Sequence, residues 1–201
     1  MSRAVEVTHD GGLLRHPDGR VRCWWCGEDP EYRDYHDTEW GVAVRDDRAV
    51  FEKLCLEGFQ AGLSWLTILR KREAFRAAFA NFDPVVIAGF GTAELARLLD
   101  DRTIVRNRAK IEATIANARA YLRLVEHGER LGELLWSFRP TSTSPRRQRS
   151  DLPASTPEST ALSRELKARG FRFVGPTTCY ATMQALGVVD DHLEGCWRRG
   201  R

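Results

Sequence analysis

Apolar positions along the chain recur at helical spacing, and nowhere do they alternate convincingly with a period of two, so the pattern predicts an all-α protein. From Asp46 to Phe82 it reads as three helical pieces, broken near Gly58 to Gly62 and again near Lys71-Arg72. Val50, Phe51 and Leu54 form the buried stripe of the first piece. Gly58 is its expected stop, so Glu57 closes that helix. Asp83-Pro84 opens a short helix, with Asp as N-cap and Pro at the first helical position. Gly91-Thr92-Ala93-Glu94 has the form of a capping box and carries Leu95, Leu98 and Leu99 on one face. The strongest helix runs from about Asn107 to Glu126, its stripe being Ile111, Ile115, Ala118, Leu122 and Val125. Two more helices follow, from Pro157 or Glu158 to Arg169 and after Gly175-Pro176. Gly170 and Gly187 stand where left-handed C-caps belong.

Two stretches lack periodicity. Residues 1–21, with Gly11-Gly12 and Pro17-Asp18-Gly19, read as a flexible tail. The Ser, Thr, Pro and Arg-rich segment at about 140–157, including Pro145-Arg146-Arg147-Gln148-Arg149, reads as a mobile loop that interrupts the fold without ending it. The remainder, 22–201, is expected to be one unit of two lobes, one at about 46–137 and one built from 22–45 and 158–201. At 42% hydrophobic content, 201 residues suffice for such a core. No apolar run approaches the ~20 residues of a membrane span, and the first residues lack the apolar core of a secretion signal, so a cytoplasmic protein without membrane contact is expected. The net charge of +3 is compatible with nucleic acid without demanding it. Five cysteines at irregular spacing point to metal ligands or buried thiols before disulfides.

Candidate chemistry concentrates in three places. Between Cys23 and Trp40 lie Trp24, Trp25, Cys26, Tyr32, Tyr35 and His36, with Asp29-Pro30 and Trp40-Gly41 looking like turn punctuation. Such rings either line a pocket or form a small aromatic core. Cys23 with His36, and His192 with Cys196 three intervening residues on, supply two thiolates and two imidazoles, the donors tetrahedral zinc prefers. All four positions filled by protein make a structural clasp between the chain's two ends. Cys26 makes a fifth candidate for four places, and spacing alone does not choose. Cys55 and Cys179 read as core thiols, and His127 as a partner of a helix end.

The second place is the stretch Cys55 to Trp65. A carboxylate on Glu57 faces the negative end of its helix dipole among apolar neighbours, a penalty of ~0.3–1 kcal/mol that a purely structural segment would avoid. Gly62 permits a tight turn or close approach to a ligand, with Leu63 and Trp65 just beyond it. The plain alternative is a helix cap followed by ordinary core residues. The third place is Arg102 to Ile111, between two predicted helices. This is the layout of a helix-hairpin-helix, whose second helix offers backbone N–H groups to a phosphate. Thr103 and Ala109 stand where such hairpins usually carry glycine, and a basic turn exposed to water is the alternative.

From about Arg22 to Cys196 the sequence resembles the DNA-3-methyladenine glycosylase I family of the helix-hairpin-helix superfamily. The resemblance is carried by Asp29-Pro30, Tyr35-His36-Asp37, Glu39-Trp40-Gly41, Leu56-Glu57-Gly58, Gln60-Ala61-Gly62-Leu63-Ser64-Trp65, Asn117-Ala118-Arg119-Ala120-Tyr121, Gly170-Phe171 and Asp191-His192. It implies one structural zinc ion on Cys23, His36, His192 and Cys196, with Cys26 set aside. It implies a base pocket in which Glu57, the catalytic residue, and Tyr35 hydrogen-bond the lesion, Trp65 stacks on it, and Trp25, Tyr32 and Trp40 form walls. The partner it implies is double-stranded DNA carrying alkylated bases. A flipped nucleotide leaves a gap that Leu63 is placed to fill, and Arg106, Arg108 and Lys110 are the expected phosphate contacts. Because 3-methyladenine is already cationic, its departure needs no strong general acid, and a monofunctional, monomeric hydrolase without a Schiff-base lysine is expected. Two departures stand out: Phe59 replaces an expected polar residue, and His127-Gly128-Glu129 holds no counterpart of the Asp that the wider superfamily places after its hairpin. The competing classes are a zinc-clasped module that binds distorted DNA without cleaving it, and a zinc hydrolase, which requires an open coordination position.

Overall fold

Short polar side chains that accept backbone N–H groups start most of the helices, and the register they set decides which side chains reach each site. In the computed structural model residues 6, 7 and 12–201 are described; the rest of the expected tail, 1–5 and 8–11, lies outside the described residues. The chain divides into two compact units, one of residues 1–43, 139–154 and 183–201, the other of 44–138 and 155–182. The stretch 155–182, expected largely in the lobe of the chain's two ends, clusters instead with the long helices.

The first unit contains the departure from an all-α pattern. Strands β1 (Glu6–Val7), β2 (Leu13–Arg15) and β3 (Val21–Cys23) form an antiparallel sheet in that order, with Leu13 opposite Cys23 and Arg15 opposite Val21. Strands this short are too brief for an alternation to register, and Pro17-Asp18-Gly19, read as tail, is the turn joining two of them. A 3₁₀ turn at Trp24–Cys26 leads into helix α1 (Pro30–Thr38), where the Asp29 carboxylate accepts the Tyr32 N–H at 3.0 Å. Asp29-Pro30 is thus a helix start and not turn punctuation. Residues 139–154 carry only a 3₁₀ turn, Arg149–Asp151, yet they are tied down. Arg146 donates to Asp191 at 2.8 Å, Arg147 to Glu194 at 3.1 Å, and the Glu194 N–H to the Arg146 carbonyl at 2.7 Å.

The second unit holds α2 (Asp47–Gln60), α3 (Trp65–Arg70), α4 (Arg72–Ala78), α5 (Pro84–Ala88), α6 (Thr92–Asp100), α7 (Arg108–Glu126), α8 (Leu131–Ser137) and α9 (Pro157–Ala168). α10 (Pro176–Ala185) begins in it and ends in the first unit. Asp83 caps α5 and Asn107 caps α7 as the sequence indicates, while α6 starts with half a capping box: Glu94 accepts the Gly91 N–H at 2.8 Å, and glycine has no side chain to reciprocate. α7 is the axis, packed against α5, α6 and α2. Its buried stripe ends on Leu124, not Val125, which is 45% exposed. The core runs through Phe51, Phe59, Phe75, Phe79, Phe82, Ile87, Leu98 and Ile111, all buried, each worth roughly 1.5–3 kcal/mol. α8, too short to be read from its pattern, lies on α2 because Gly132 admits close approach: a Cβ there would sit 2.0 Å from the Arg45 carbonyl oxygen. The expected stop at Gly58 comes too early. α2 continues to Gln60, and it is Gly62, at φ +82°, that takes the left-handed turn. Among the described residues no helix is long and apolar enough to cross a membrane.

Candidate functional site

In the first unit, Cys23, His36, His192 and Cys196 converge, all four buried, with their ligand atoms within 4.8 Å of one another. Cys196 Sγ lies 3.4 Å from His36 Nε2 and 3.6 Å from His192 Nδ1, and Cys23 Sγ lies 3.8 Å from His192 Nδ1. Zinc–ligand bonds of about 2.0–2.3 Å directed to tetrahedral corners separate the donors by roughly 3.3–3.8 Å, so this set fits such an ion. The far nitrogens of both imidazoles are engaged as ligands require: His36 Nδ1 on Asp37 at 2.8 Å, His192 Nε2 on the Trp40 carbonyl at 3.2 Å. Asp37 is in turn held by Arg22 at 2.7 Å and by Trp197 Nε1 at 3.0 Å. Burial opposes its ionisation, but the bonds from Arg22, His36 and Trp197 win and hold it well below the usual carboxylate range. The two thiols polarise each other. Hydrogen bonds from Cys23 and the two imidazoles pull Cys196 toward the thiolate, while Cys23, bonded to that thiolate and buried, is pushed up. An entering cation would remove that second proton. Cys26 stands outside the cluster, its thiol directed at the Cys23 carbonyl at 3.2 Å and pushed up to about 12 by burial.

The aromatic residues of this unit are built onto the same donors. Trp25 lies 5.1 Å from the His36 ring, 5.0 Å from Trp40, 5.1 Å from Tyr32 and 6.3 Å from Tyr35, and Trp40 packs edge-on to His192 at 4.7 Å. The four rings expected as pocket residues are therefore one cluster whose floor is the imidazole pair.

In the second unit Glu57 lies in the last turn of α2, buried. Burial raises it to about 7, with Lys53, one turn earlier on the same helix, pulling the other way. The Lys53 ammonium sits 4.2 Å from the centroid of the Trp65 ring, a contact invisible in the sequence because it depends on the turn between α2 and α3. That turn is fixed by the Leu63 N–H on the Gln60 carbonyl at 2.6 Å and by Ser64, whose hydroxyl accepts the Thr67 N–H at 3.2 Å to start α3 at Trp65. Leu63, at its tip, is 42% exposed, an apolar side chain held out toward water.

Phe59 does not face a ligand space; it is core, with its ring 4.5 Å from that of Phe75. Lys110 likewise leaves the set of exposed cations. It is buried, and its ammonium donates to the Phe59 carbonyl at 2.8 Å and the Ala61 carbonyl at 2.5 Å, closing the end of α2. Arg106 and Arg108 are exposed at the start of α7, Arg108 3.4 Å from Glu112. The turn before them does without glycine because the Asp101 carboxylate accepts both the Thr103 N–H, at 2.9 Å, and its hydroxyl, at 2.5 Å. His127 bonds the Arg123 carbonyl at 2.6 Å as a helix-end partner, and Cys55 and Cys179 are buried thiols pushed up to about 12 by desolvation.

The molecule is thus a mostly helical scaffold with a buried carboxyl at Glu57, a buried tryptophan at Trp65 and a closed Cys/His cluster. The family model described as methyladenine glycosylase matches residues 25–199. The chain is 51% identical over 178 residues to the DNA-3-methyladenine glycosylase 1 of Escherichia coli strain K12, covering 87% of this chain and 95% of that one. It superposes on a crystal structure of 3-methyladenine DNA glycosylase I with a TM-score of 0.86 at 48% identity, covering 89% and 99% of the two chains. A single-substitution variant of a 3-methyladenine DNA glycosylase I, solved in complex with 3-methyladenine, matches with a TM-score of 0.83 at 35% identity, covering 88% and 96%. The chain belongs to the methyladenine glycosylase family.

Between pH about 4.5 and 7 the folded protein keeps a proton on Glu57 that the unfolded chain has released, so this residue subtracts stability as pH rises through that window. Glu57→Gln, which cannot ionise, is therefore expected to melt at the native temperature at pH 4.5 and about 3 °C or more above it at pH 8, measured by thermal unfolding at the two pH values.

Proposed function

We propose that the chain excises 3-methyladenine from alkylated double-stranded DNA as a monofunctional DNA glycosylase, a hydrolase acting on N-glycosyl bonds. The observation that carries the reading is the buried Glu57 carboxyl, raised to about 7 by burial, together with the buried ring of Trp65, the two linked through Lys53. A flipped 3-methyladenine supplies a positive charge on a flat ring, so it stacks on Trp65 while Glu57 accepts its hydrogen bonds and neutralises it. Unmodified adenine is neutral and gains less from both residues. Tyr35 is assigned a hydrogen bond to the base, and Trp25, Tyr32 and Trp40 a limiting wall.

The bond that breaks joins the base nitrogen to the sugar C1′. The electron pair leaves with the base, which departs neutral, and water adds to C1′ and loses a proton to solvent. A leaving group that is already cationic needs no proton from the protein, so no residue is assigned as a general acid, and no lysine as a nucleophile. The carboxylate of Glu57 strengthens its hold on the base only while that base carries charge. Leu63, held out at the tip of the α2–α3 turn, is assigned to the gap the flipped nucleotide leaves. Arg106, Arg108 and the N-terminus of α7 are assigned to backbone phosphate in helix-hairpin-helix fashion; Lys110, spent on the end of α2, is not.

Cys23, His36, His192 and Cys196 are assigned to one zinc ion. With four protein donors it offers structural cross-linking and leaves no position for a reactive water. Asp37 orients His36 from behind. Asp37→Asn is expected to weaken zinc about 10- to 100-fold, read by competition with a chromogenic chelator. The reaction is assigned to the cytoplasm, with the protein acting as a monomer.

The reading is tested by base release from N-methylated duplex DNA, identified by chromatography. Native protein should release 3-methyladenine and leave 7-methylguanine in place, and Glu57→Gln and Trp65→Ala should each lower the rate about 100-fold or more. Binding of the DNA by folded, zinc-loaded native protein with no base released would make the chain a non-catalytic module for damaged DNA instead.

A further inference from the structure

Trp65 is buried, and part of its cover is a charge. The Lys53 ammonium stands 4.2 Å from the ring centroid, at the distance of a cation–π contact. Lys53 lies exactly one α-helical turn before Glu57 on α2, and its field favours the Glu57 carboxylate. Lys53 thus supplies from the chain itself what a cationic base would bring: a cation on the tryptophan face and a positive charge acting on the carboxylate.

Resting on the glycosylase reading above, we propose that Lys53 is a resident stand-in for the cationic base, yielding the Trp65 face when the lesion enters and reclaiming it after cleavage, so that it drives product out. The asymmetry comes from the change of charge in the reaction. Before cleavage the base is a cation with a broad, weakly hydrated ring, whereas the ammonium is compact and regains strong hydration on moving into water, so the lesion wins the face. Breaking the C1′–N bond sends the electron pair into the base, which becomes neutral, while water supplies the hydroxyl that C1′ takes and the proton passes to solvent. A neutral base loses the cation–π attraction to Trp65 and the ion-pair attraction to Glu57 together. Lys53 has lost neither, and its flexible stem lets it swing back onto the ring. Lys53 is therefore a specificity-determining residue that acts through Trp65 and Glu57. It sets a threshold of positive charge that a ring must carry to hold the site, and that threshold separates substrate from both product and undamaged adenine.

The test is the affinity of the zinc-loaded protein for free, neutral 3-methyladenine at pH 8, by calorimetric titration, for native protein and for Lys53→Met, Lys53→Gln and Lys53→Arg. The position is partly exposed, and matched thermal unfolding confirms that the variants fold. Removing the resident cation should tighten the neutral base about fivefold in both Met and Gln variants, while Arg keeps the native value. Adenine affinity should rise in the same two variants and not in Arg. Unchanged or weaker binding of 3-methyladenine in Met and Gln overturns the proposal. Excision by the native protein on alkylated duplex DNA separates the two levels: if it proceeds while the Met and Gln affinities stay put, only the role of Lys53 fails, and if native protein excises nothing, the glycosylase reading fails with it.

Discussion

Withdrawing a carboxyl from water opposes its ionisation, and in the second unit burial holds Glu57 up at about 7 at the end of α2. It lies in the last turn of a helix, where the aligned carbonyls add negative potential. Ordinary design would place a cation there. Lys110 spends its charge on the Phe59 and Ala61 carbonyls, and Lys53, one turn before Glu57, lies over Trp65 while its field favours the carboxylate. The helix end is therefore capped and the chain can turn through Gly62. Under the proposed function, the stability given up at Glu57 is the source of a preference for a cationic ring.

The first unit solves a different problem, that of fixing large rings in a segment with little regular structure. Cys23 and Cys196 come from opposite ends of the chain, and Trp25 and Trp40 pack directly on the two imidazoles between them. Arg22 and Trp197, which flank the two cysteines, meet on Asp37 behind His36. The donor cluster, its carboxylate support and the aromatic group are one structure. Loosening any member is expected to shift the rings packed on the two imidazoles.

Much of this was legible in the sequence because it is local. Asp83 and Asn107 cap as their types predict, and Gly170 and Gly187 take the left-handed conformation at helix ends. The four members of the Cys/His cluster were readable as residue types, but spacing could not separate Cys26 from Cys23; three dimensions do, by turning the Cys26 thiol onto a carbonyl. Asp29-Pro30 has the same signature as Asp83-Pro84 and was read differently because the aromatic-rich residues after it carry no apolar stripe. Gly58 looked like a helix stop, yet it lies inside α2, where an added Cβ would come within 3.4 Å of Phe173. The roles of Lys110, Phe59 and Lys53 were out of reach for one reason. Each is decided by a partner on another element, Lys110 by the end of α2, Phe59 by Phe75 on α4, and Lys53 by Trp65 at the start of α3.

Glu57 is held as a carboxyl withdrawn from water, and its ionisation reports this directly. Carbon-13 NMR of the glutamate side-chain carboxyls, with Glu57 assigned by loss of its resonance in the Glu57→Gln variant, follows that one group through a pH titration of the free protein. The account predicts a midpoint near 7, raised by burial against the pull of Lys53. A midpoint at the ordinary glutamate value of about 4.3 would mean that the carboxylate is already solvated or paired, and would contradict it.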